Sequence, residues 1–197
     1  MIGETIFQAL FIFSAFVFVI LWGYNIMSVG VTRDKFYTPV EGIVVAVPRF
    51  LLLSASLVGI LVYSIDPRLM KWSTIPLPFW LRWSGFFLGL IALLLFFWVL
   101  RSLGQNFSTS LTISQNQTLV TRGPYRWVRH PMYTSFVLLW IGFLFLSANG
   151  FIGLTGIAAF IWAIVVRTPK EEQMMIDRFG EEYVDYMKQT GRYLPHW

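Results

Sequence analysis

The chain of 197 residues has no cysteine, only two histidines and few charged residues, which make up 13% of the total. Without cysteine it can form no disulfide, no thiolate metal site and no cysteine nucleophile. The histidines, His130 and His196, have no acidic neighbours at the spacing of a metal site, so we expect no bound metal. The sequence also lacks a glycine-rich phosphate loop and the residue order of a Ser-His-Asp triad.

Apolar residues are abundant instead, at 56% of the chain, and aromatic residues reach 18%. An average soluble domain is about 25% charged, and this chain has too little polar surface to coat a soluble globule. These values exclude a soluble enzyme, a secreted disulfide scaffold and a disordered chain. They predict an integral membrane protein with one compact domain.

Charge-poor stretches predict an all-α bundle of about five transmembrane helices. A helix needs roughly 20 apolar residues to cross about 30 Å of hydrocarbon. The last two predicted helices form a hairpin, because the Ser-Ala-Asn-Gly sequence of 147–150 is typical of a turn. The predicted spans are 6–24, 43–65, 83–100, and the hairpin arms 133–146 and 151–166 within a 133–166 unit. The second of them contains Pro48 and Arg49, and either it is short, since 50–65 alone has 16 residues, or Arg49 reaches one face of the membrane.

The positive charges are distributed unevenly between the two sides of this bundle. Eleven of the 15 Lys and Arg residues fall in the segment 25–42, the segment 101–132 and the tail from 167 onward. Cytoplasmic loops carry the excess of Lys and Arg, so we expect an outside N-terminus and a cytoplasmic loop and C-terminal tail. The net charge of +5 fits contact with anionic lipid better than with nucleic acid, which we do not expect as a partner. The identity of the membrane stays open between a bacterial or archaeal inner membrane and the endoplasmic reticulum.

Polar chemistry concentrates in the second half of the chain. We therefore divide it into three N-terminal helices with their loops, 1–100, and a catalytic region, 101–197, inside one compact domain. The sequence GPYRWVRHPMY at 123–133 places arginines, a histidine and tyrosines beside a predicted helix start, where an anion is stabilised. An amphipathic helix with its arginines on lipid phosphates is the alternative.

The sequence RTPKEE at 167–172 is the second polar motif. Arg167 and Glu171 are four residues apart, so Glu171 can orient a guanidinium that binds a carboxylate. The alternative is an ordinary solvated helix that starts with Pro169 in its first turn. Gly180 is expected to end a short helix, and the residues 191–195 are expected to form an extended segment that closes the tail.

These motifs resemble, in order and spacing, the isoprenylcysteine carboxyl methyltransferase family. The resemblance rests on GPYRWVRHPMY, on RTPKEE about 34 residues later, and on FGEEYVDY and LP in the tail, and it covers roughly 104–195. It implies an integral membrane enzyme that uses S-adenosylmethionine to methylate the carboxylate of a C-terminal prenylated cysteine. It also implies that the C-terminal helical tail completes the cofactor site.

The resemblance implies particular site residues as well. Arg167 and Glu171 are implied as the catalytic and substrate-binding pair. Because a carboxylate is already ionised at pH 7, its methylation requires positioning and removal of water rather than a general base. The implied cofactor contacts are Gln117, Thr118, Leu119, Val120, Tyr125, His130, Pro131, Met132 and Tyr133.

The sequence leaves several alternative functions open. Related membrane methyltransferases act on phospholipid amines or small thiols, and a NADPH-dependent reductase of a sterol-like lipid is a second enzyme class. A non-enzymatic lipid-binding membrane protein is the third. All of them share the expected partners, which are a lipophilic substrate and membrane lipids.

Overall fold

A computed structural model describes residues 2–29, 43–106 and 118–195 of the chain. Within these ranges every regular element is helical, and the only β-type pairing consists of two isolated bridges, at Thr74–Asn149 and Val128–Gly191. The all-α prediction is therefore confirmed. The α-helices are α1 (Ile2–Val29), α2 (Ile43–Ile65), α3 (Phe79–Leu103), α4 (Pro131–Ser147), α5 (Gly150–Phe179) and α6 (Glu181–Gln189).

Most of these helices have the dimensions of membrane spans. Four are long and apolar enough to cross a bilayer, and they include the segments Gly3–Tyr24, Ala46–Ile65, Phe79–Leu103 and Gly150–Phe179. Helix α4 is equally apolar but has 17 residues, fewer than a full span. The chain is thus an integral membrane protein, whereas the number of five complete crossings stays a prediction.

The turn between α4 and α5 forms the predicted hairpin. Ala148 ends α4 in the left-handed backbone conformation, with φ of 50°. Asn149 then begins α5, because its Oδ1 accepts a hydrogen bond from the Ile152 amide at 3.1 Å. Its Nδ2 donates to the Met70 carbonyl at 3.1 Å, which ties the hairpin to the segment after α2.

Helix α5 is longer than the sequence predicts. The alternative of a separate helix that starts at Pro169 is wrong, because α5 continues from the predicted span 151–166 through Pro169 to Phe179. An internal proline costs roughly 3 kcal/mol by removing one hydrogen bond and crowding the preceding turn. Glu172, the next residue of α5 to be deeply buried, accepts hydrogen bonds from Arg129 and Arg192 outside the helix, and these contacts offset that cost. The expected stop at Gly180 is confirmed, with φ of 57°.

A buried arginine joins the helices at the end of the bundle where α3 begins. Arg82 donates from Nη1 to Glu4 at 2.5 Å, and from Nε and Nη2 to the Leu146 carbonyl at 3.3 and 3.1 Å. Its guanidinium also lies 4.0 Å from the centre of the Phe7 ring. These contacts connect α1, α3 and α4, and they satisfy a charge that would otherwise be costly to bury.

Helices α3 and α4 approach closely through small residues. A Cβ atom on Gly85 would lie 2.6 Å from the Leu146 amide nitrogen and 2.9 Å from the Gly142 carbonyl oxygen. Backbone atoms cannot move aside as a flexible side chain can. The absence of a side chain at Gly85 therefore sets the separation of the two helices that position the site.

We expect Gly85→Ala to lower the thermal unfolding midpoint of the purified protein, because the added methyl group forces the two backbones apart. Overpacking of this kind costs about 1–3 kcal/mol. Gly89→Ala, on the same helix, is the matched control, since a Cβ there meets nothing within 4 Å. Equal midpoints for the two variants would contradict this account of the α3–α4 contact.

Candidate active site

A cavity of about 670 Å³ lies among the ends of the five long helices and the segment that precedes α4. One part of its wall is polar and includes Asn106, Thr118, Tyr125, Arg129 and His130. Another part is apolar, and several of its aromatic rings contact one another across helices, with Phe136 4.6 Å from Phe160 between ring centres. The apolar wall includes Phe18, Trp22, Leu53, Leu57, Phe136, Trp140 and Phe160.

A carboxylate, an arginine and a tyrosine meet at the wall of this cavity. The Tyr133 hydroxyl donates to Glu171 Oε1 at 2.8 Å, and Arg167 Nε lies 3.3 Å from the same oxygen. His130 Nδ1 lies 3.6 Å from Glu171 Oε2. Glu171 therefore fixes the orientation of side chains from both arms of the hairpin, and all four of these residues line the cavity.

The adjacent carboxylate of Glu172 points into packed protein instead. Its side chain is only 5% exposed and accepts hydrogen bonds from Arg129 Nε at 3.0 Å and Arg192 Nε at 3.1 Å. His130 Nε2 lies 3.3 Å from it. The His130 ring is thus held between two neighbouring carboxylates of α5.

The C-terminal segment closes over the start of α4. The Arg129 amide donates to the Gly191 carbonyl at 2.8 Å, and the His130 amide donates to the Arg192 carbonyl at 3.0 Å. The Gly191 amide returns a hydrogen bond to the Trp127 carbonyl at 3.0 Å. This pairing is the extended closing segment that the sequence predicts, and it fixes the backbone around His130.

Two tyrosines of the polar wall are joined by a hydrogen bond. The Tyr186 hydroxyl of α6 donates to the Tyr125 carbonyl at 2.6 Å. Burial raises the pKa of Tyr186 to about 12, and desolvation also raises the pKa of Tyr125 above its ordinary value. Both phenols therefore stay neutral at physiological pH and act as hydrogen-bonding groups or ring surfaces rather than as bases.

Most of the expected site residues come together in this cavity. Pro131 is the exception among the described residues, because it is fully buried in the first turn of α4 and lies behind the wall. Gln117 lies outside the described residues. The expected residues that line the cavity are Thr118, Leu119, Val120, Tyr125, His130, Met132, Tyr133, Arg167 and Glu171.

Several other wall residues were not predicted as contacts from the sequence. One is Asn106, which pairs with the expected residue Thr118: the Thr118 amide donates to Asn106 Oδ1 at 3.0 Å, and Asn106 Nδ2 donates to Thr118 Oγ1 at 3.2 Å. Arg129 stands within the first motif, so its position next to His130 was a usable signal. Arg49 was visible as a charge at the start of an apolar run. Within the described ranges, no group of three or more His, Asp or Glu side chains could hold a metal ion.

The fold matches that of a solved membrane enzyme. The structure of a eukaryotic intramembrane Ras methyltransferase, an isoprenylcysteine carboxyl methyltransferase, aligns with 87% of this chain and 60% of its own, with a TM-score of 0.56 and 23% identity. This likeness concerns the fold. Together with the cavity, it defines the chain as a helical membrane protein with a site shared between its spans and its tail.

Sequence comparison gives a family match. Residues 85–177, just under half of the chain, match the model of the isoprenylcysteine carboxyl methyltransferase family. The protein-S-isoprenylcysteine O-methyltransferase of Mus musculus is 40% identical over 83 residues, which are 42% of this chain and 29% of the mouse protein. Form B of this enzyme in Arabidopsis thaliana is 30% identical over 95 residues, 47% of this chain and 48% of the plant protein. The matches thus span less than half of these relatives' own length.

We expect Glu172→Gln to destabilise the protein, because the change removes the charge that compensates buried Arg129. Breaking a buried ion pair by removing one partner costs about 3–5 kcal/mol. The thermal unfolding midpoint should fall, and amide hydrogen exchange should accelerate at 186–193.

The control is Asp185→Asn, which removes an exposed ion pair between Asp185 and Lys188 at 2.8 Å. Exposed pairs contribute little to stability, so this variant should keep the wild-type midpoint and exchange pattern. Unchanged exchange in the Glu172 variant would show that the carboxylate does not hold the tail in place.

Proposed function

We propose that this protein transfers a methyl group from S-adenosylmethionine to a lipophilic acceptor, and that the acceptor is the carboxylate of a prenylated cysteine. The observation that carries the proposal is a cavity whose wall combines Tyr133, Arg167 and Glu171 with further polar side chains and with aromatic rings. The match of residues 85–177 to the family model supports the same activity, since the curated relatives are named for it.

The polar wall fits S-adenosylmethionine in chemistry and size. Asn106 and Thr118 offer hydrogen-bonding groups, and the neutral rings of Tyr125 and Tyr186 offer aromatic faces of the kind that stabilise a ligand cation. Small-molecule sites have volumes of about 300–1,000 Å³, and the cavity volume lies within that range. When bound, this cofactor would supply an electrophilic methyl group.

The opposite side of the cavity fits an acidic lipid. Arg167 ends the apolar part of α5, and the hydrogen bond from its Nε to Glu171 orients the guanidinium. A guanidinium in a fixed orientation binds a carboxylate well. The acceptor carboxylate is ionised without a base, so Arg167 only has to hold it in place while the apolar wall excludes water.

The orientation in the membrane is part of the proposal. We infer that the N-terminus is outside, and that the segment 101–132 and the C-terminal tail are cytoplasmic. The distribution of Lys and Arg supports this orientation, and the cavity lies at the end where α4 begins, beside α6 and the tail. A cytoplasmic site would meet a cofactor dissolved in the cytoplasm.

The absence of cysteine makes this orientation testable with single introduced thiols. Lys188→Cys in α6 and Lys71→Cys after α2 both place a thiol at an exposed position. In intact cells a membrane-impermeant maleimide should label the second variant, and it should label the first only after the membrane is permeabilised. The reverse pattern would overturn the orientation.

A radiolabelled methyl-transfer assay tests the activity itself. The purified full chain in nanodiscs is given S-adenosylmethionine and, separately, a prenylcysteine analogue, phosphatidylethanolamine, a small thiol and a fatty acid. We expect transfer to the prenylcysteine analogue. Transfer to the amine or the thiol alone would keep the methyltransferase and reject the acceptor, and NADPH-dependent reduction without any methyl transfer would reject both.

We expect Arg167→Gln to lower kcat/KM at least about a hundredfold, since it removes a charged partner of the acceptor, while calorimetry still detects S-adenosylmethionine binding. His130→Ala should do the opposite and weaken cofactor binding first. Full activity of Arg167→Gln would refute its role as the carboxylate-binding group.

A further inference from the structure

Arg49 is the cationic side chain that α2 contributes to the cavity wall. Helix α2 lies outside the residues 85–177 that match the family model, so neither motif includes this arginine. Its guanidinium is near enough to the Tyr133 hydroxyl for the two to interact electrostatically. Because Tyr133 donates to Glu171, which also contacts Arg167, Arg49 belongs to the same group of polar side chains.

The register of α2 against α5 brings the two arginine side chains towards each other. Ser56 donates to the Ile152 carbonyl at 2.9 Å, and the two helices run in opposite directions along this contact. Arg49 precedes Ser56 by seven residues, and Arg167 follows Ile152 by fifteen. The backbone of Arg49 is therefore nearer to this contact, and deeper in the bundle, than the backbone of Arg167. Cα–Cβ bonds tilt towards the N-terminus of a helix. The Cα–Cβ bond of Arg49 therefore tilts towards the end of the bundle where the cavity lies, whereas that of Arg167 tilts away from that end.

Each helix presents the same order of chemistry to the cavity. On α2 the lining residues Arg49, Leu53 and Leu57 recur every four residues, as one helix face requires. On α5 the lining residues Arg167, Ala163 and Phe160 also share one face. A cation near the site followed by apolar residues matches an amphiphile with an anionic group and an apolar chain.

We propose that Arg49 is a second binding group for the acceptor, which holds the carboxylate jointly with Arg167 while Leu53 and Leu57 contact the attached apolar chain. This inference rests on the proposed function. The methyl ester carries no charge, so both arginines would attract the acid and lose that attraction once the ester forms. Discrimination between acid and ester is therefore the property that Arg49 should control.

The test measures binding of N-acetyl-S-farnesylcysteine and of its methyl ester to the full chain in nanodiscs. We expect Arg49→Gln to weaken binding of the acid, and to raise its KM, by about 10- to 100-fold, which is typical for loss of a hydrogen bond between charged groups. Binding of the ester should change less than about twofold, since packing is retained. Arg49→Lys should restore part of the preference for the acid.

Arg101→Gln is the matched control. Arg101 lies at the site end of α3, its guanidinium is 5.9 Å from the centre of the Phe97 ring, and it is not part of the cavity wall. The control removes the same charge from the same end of the bundle, so it should leave the acid and ester affinities unchanged. Unaltered binding of S-adenosylmethionine in the Arg49 variants reports that they are folded.

The possible results of these binding measurements distinguish between different roles for Arg49. An equal loss of acid and ester affinity in Arg49→Gln would overturn the inference and make Arg49 a packing residue. An unchanged preference for the acid would also overturn it, and would fit an arginine that binds a bilayer phosphate. In both cases methyl transfer by the wild type would leave the proposed function standing. If the wild type neither binds the acid nor transfers a methyl group, the inference and the proposed function fall together.

Discussion

Two adjacent carboxylates near the end of α5 hold together the parts of the chain that form the cavity. Neighbouring residues of a helix point about 100° apart, so Glu171 faces the cavity while Glu172 enters packed protein. His130 contacts both of them. These contacts join the start of α4 and the C-terminal segment to the end of α5. A displacement of α5 would therefore move the polar wall and the apolar wall of the cavity together.

The continuity of α5 shows why the sequence indicated a contact between Arg167 and Glu171 and yet left open a new helix at Pro169. Proline usually marks a helix start or break, so Pro169 favoured a new helix after the last span. The 3.3 Å contact between Arg167 and Glu171 nevertheless requires helical spacing on both sides of Pro169. Local sequence rules do not include the partners of Glu172, which lie more than forty residues earlier, at Arg129 and His130, and twenty residues later, at Arg192.

The wall residues from the first two helices were harder to predict for a different reason. In a membrane helix the side that faces lipid and the side that faces a cavity are both apolar, so Phe18, Trp22, Leu53 and Leu57 do not stand out from their neighbours. The polar wall was predictable because GPYRWVRHPMY and RTPKEE interrupt apolar sequence. Arg49 also interrupts apolar sequence, but a charge near the end of a span equally fits a side chain that reaches the membrane interface.

The length of α4 bears on how a soluble cofactor and a lipid acceptor can reach one cavity. A helix of 17 residues extends about 26 Å at 1.5 Å per residue, which is less than the roughly 30 Å of hydrocarbon in a bilayer. Either the bilayer thins around α4, or one of its ends lies within the hydrocarbon thickness. At the far end, Leu146 is tied to Arg82 and its partner Glu4. At the near end, His130 and Tyr133 have hydrogen-bonding partners on α5, so that end can be drawn below the membrane surface without leaving those polar groups unsatisfied. Where the near end is the one within the hydrocarbon thickness, the polar motif lies below the membrane surface, and the aromatic wall begins one turn further along the same helix, at Phe136.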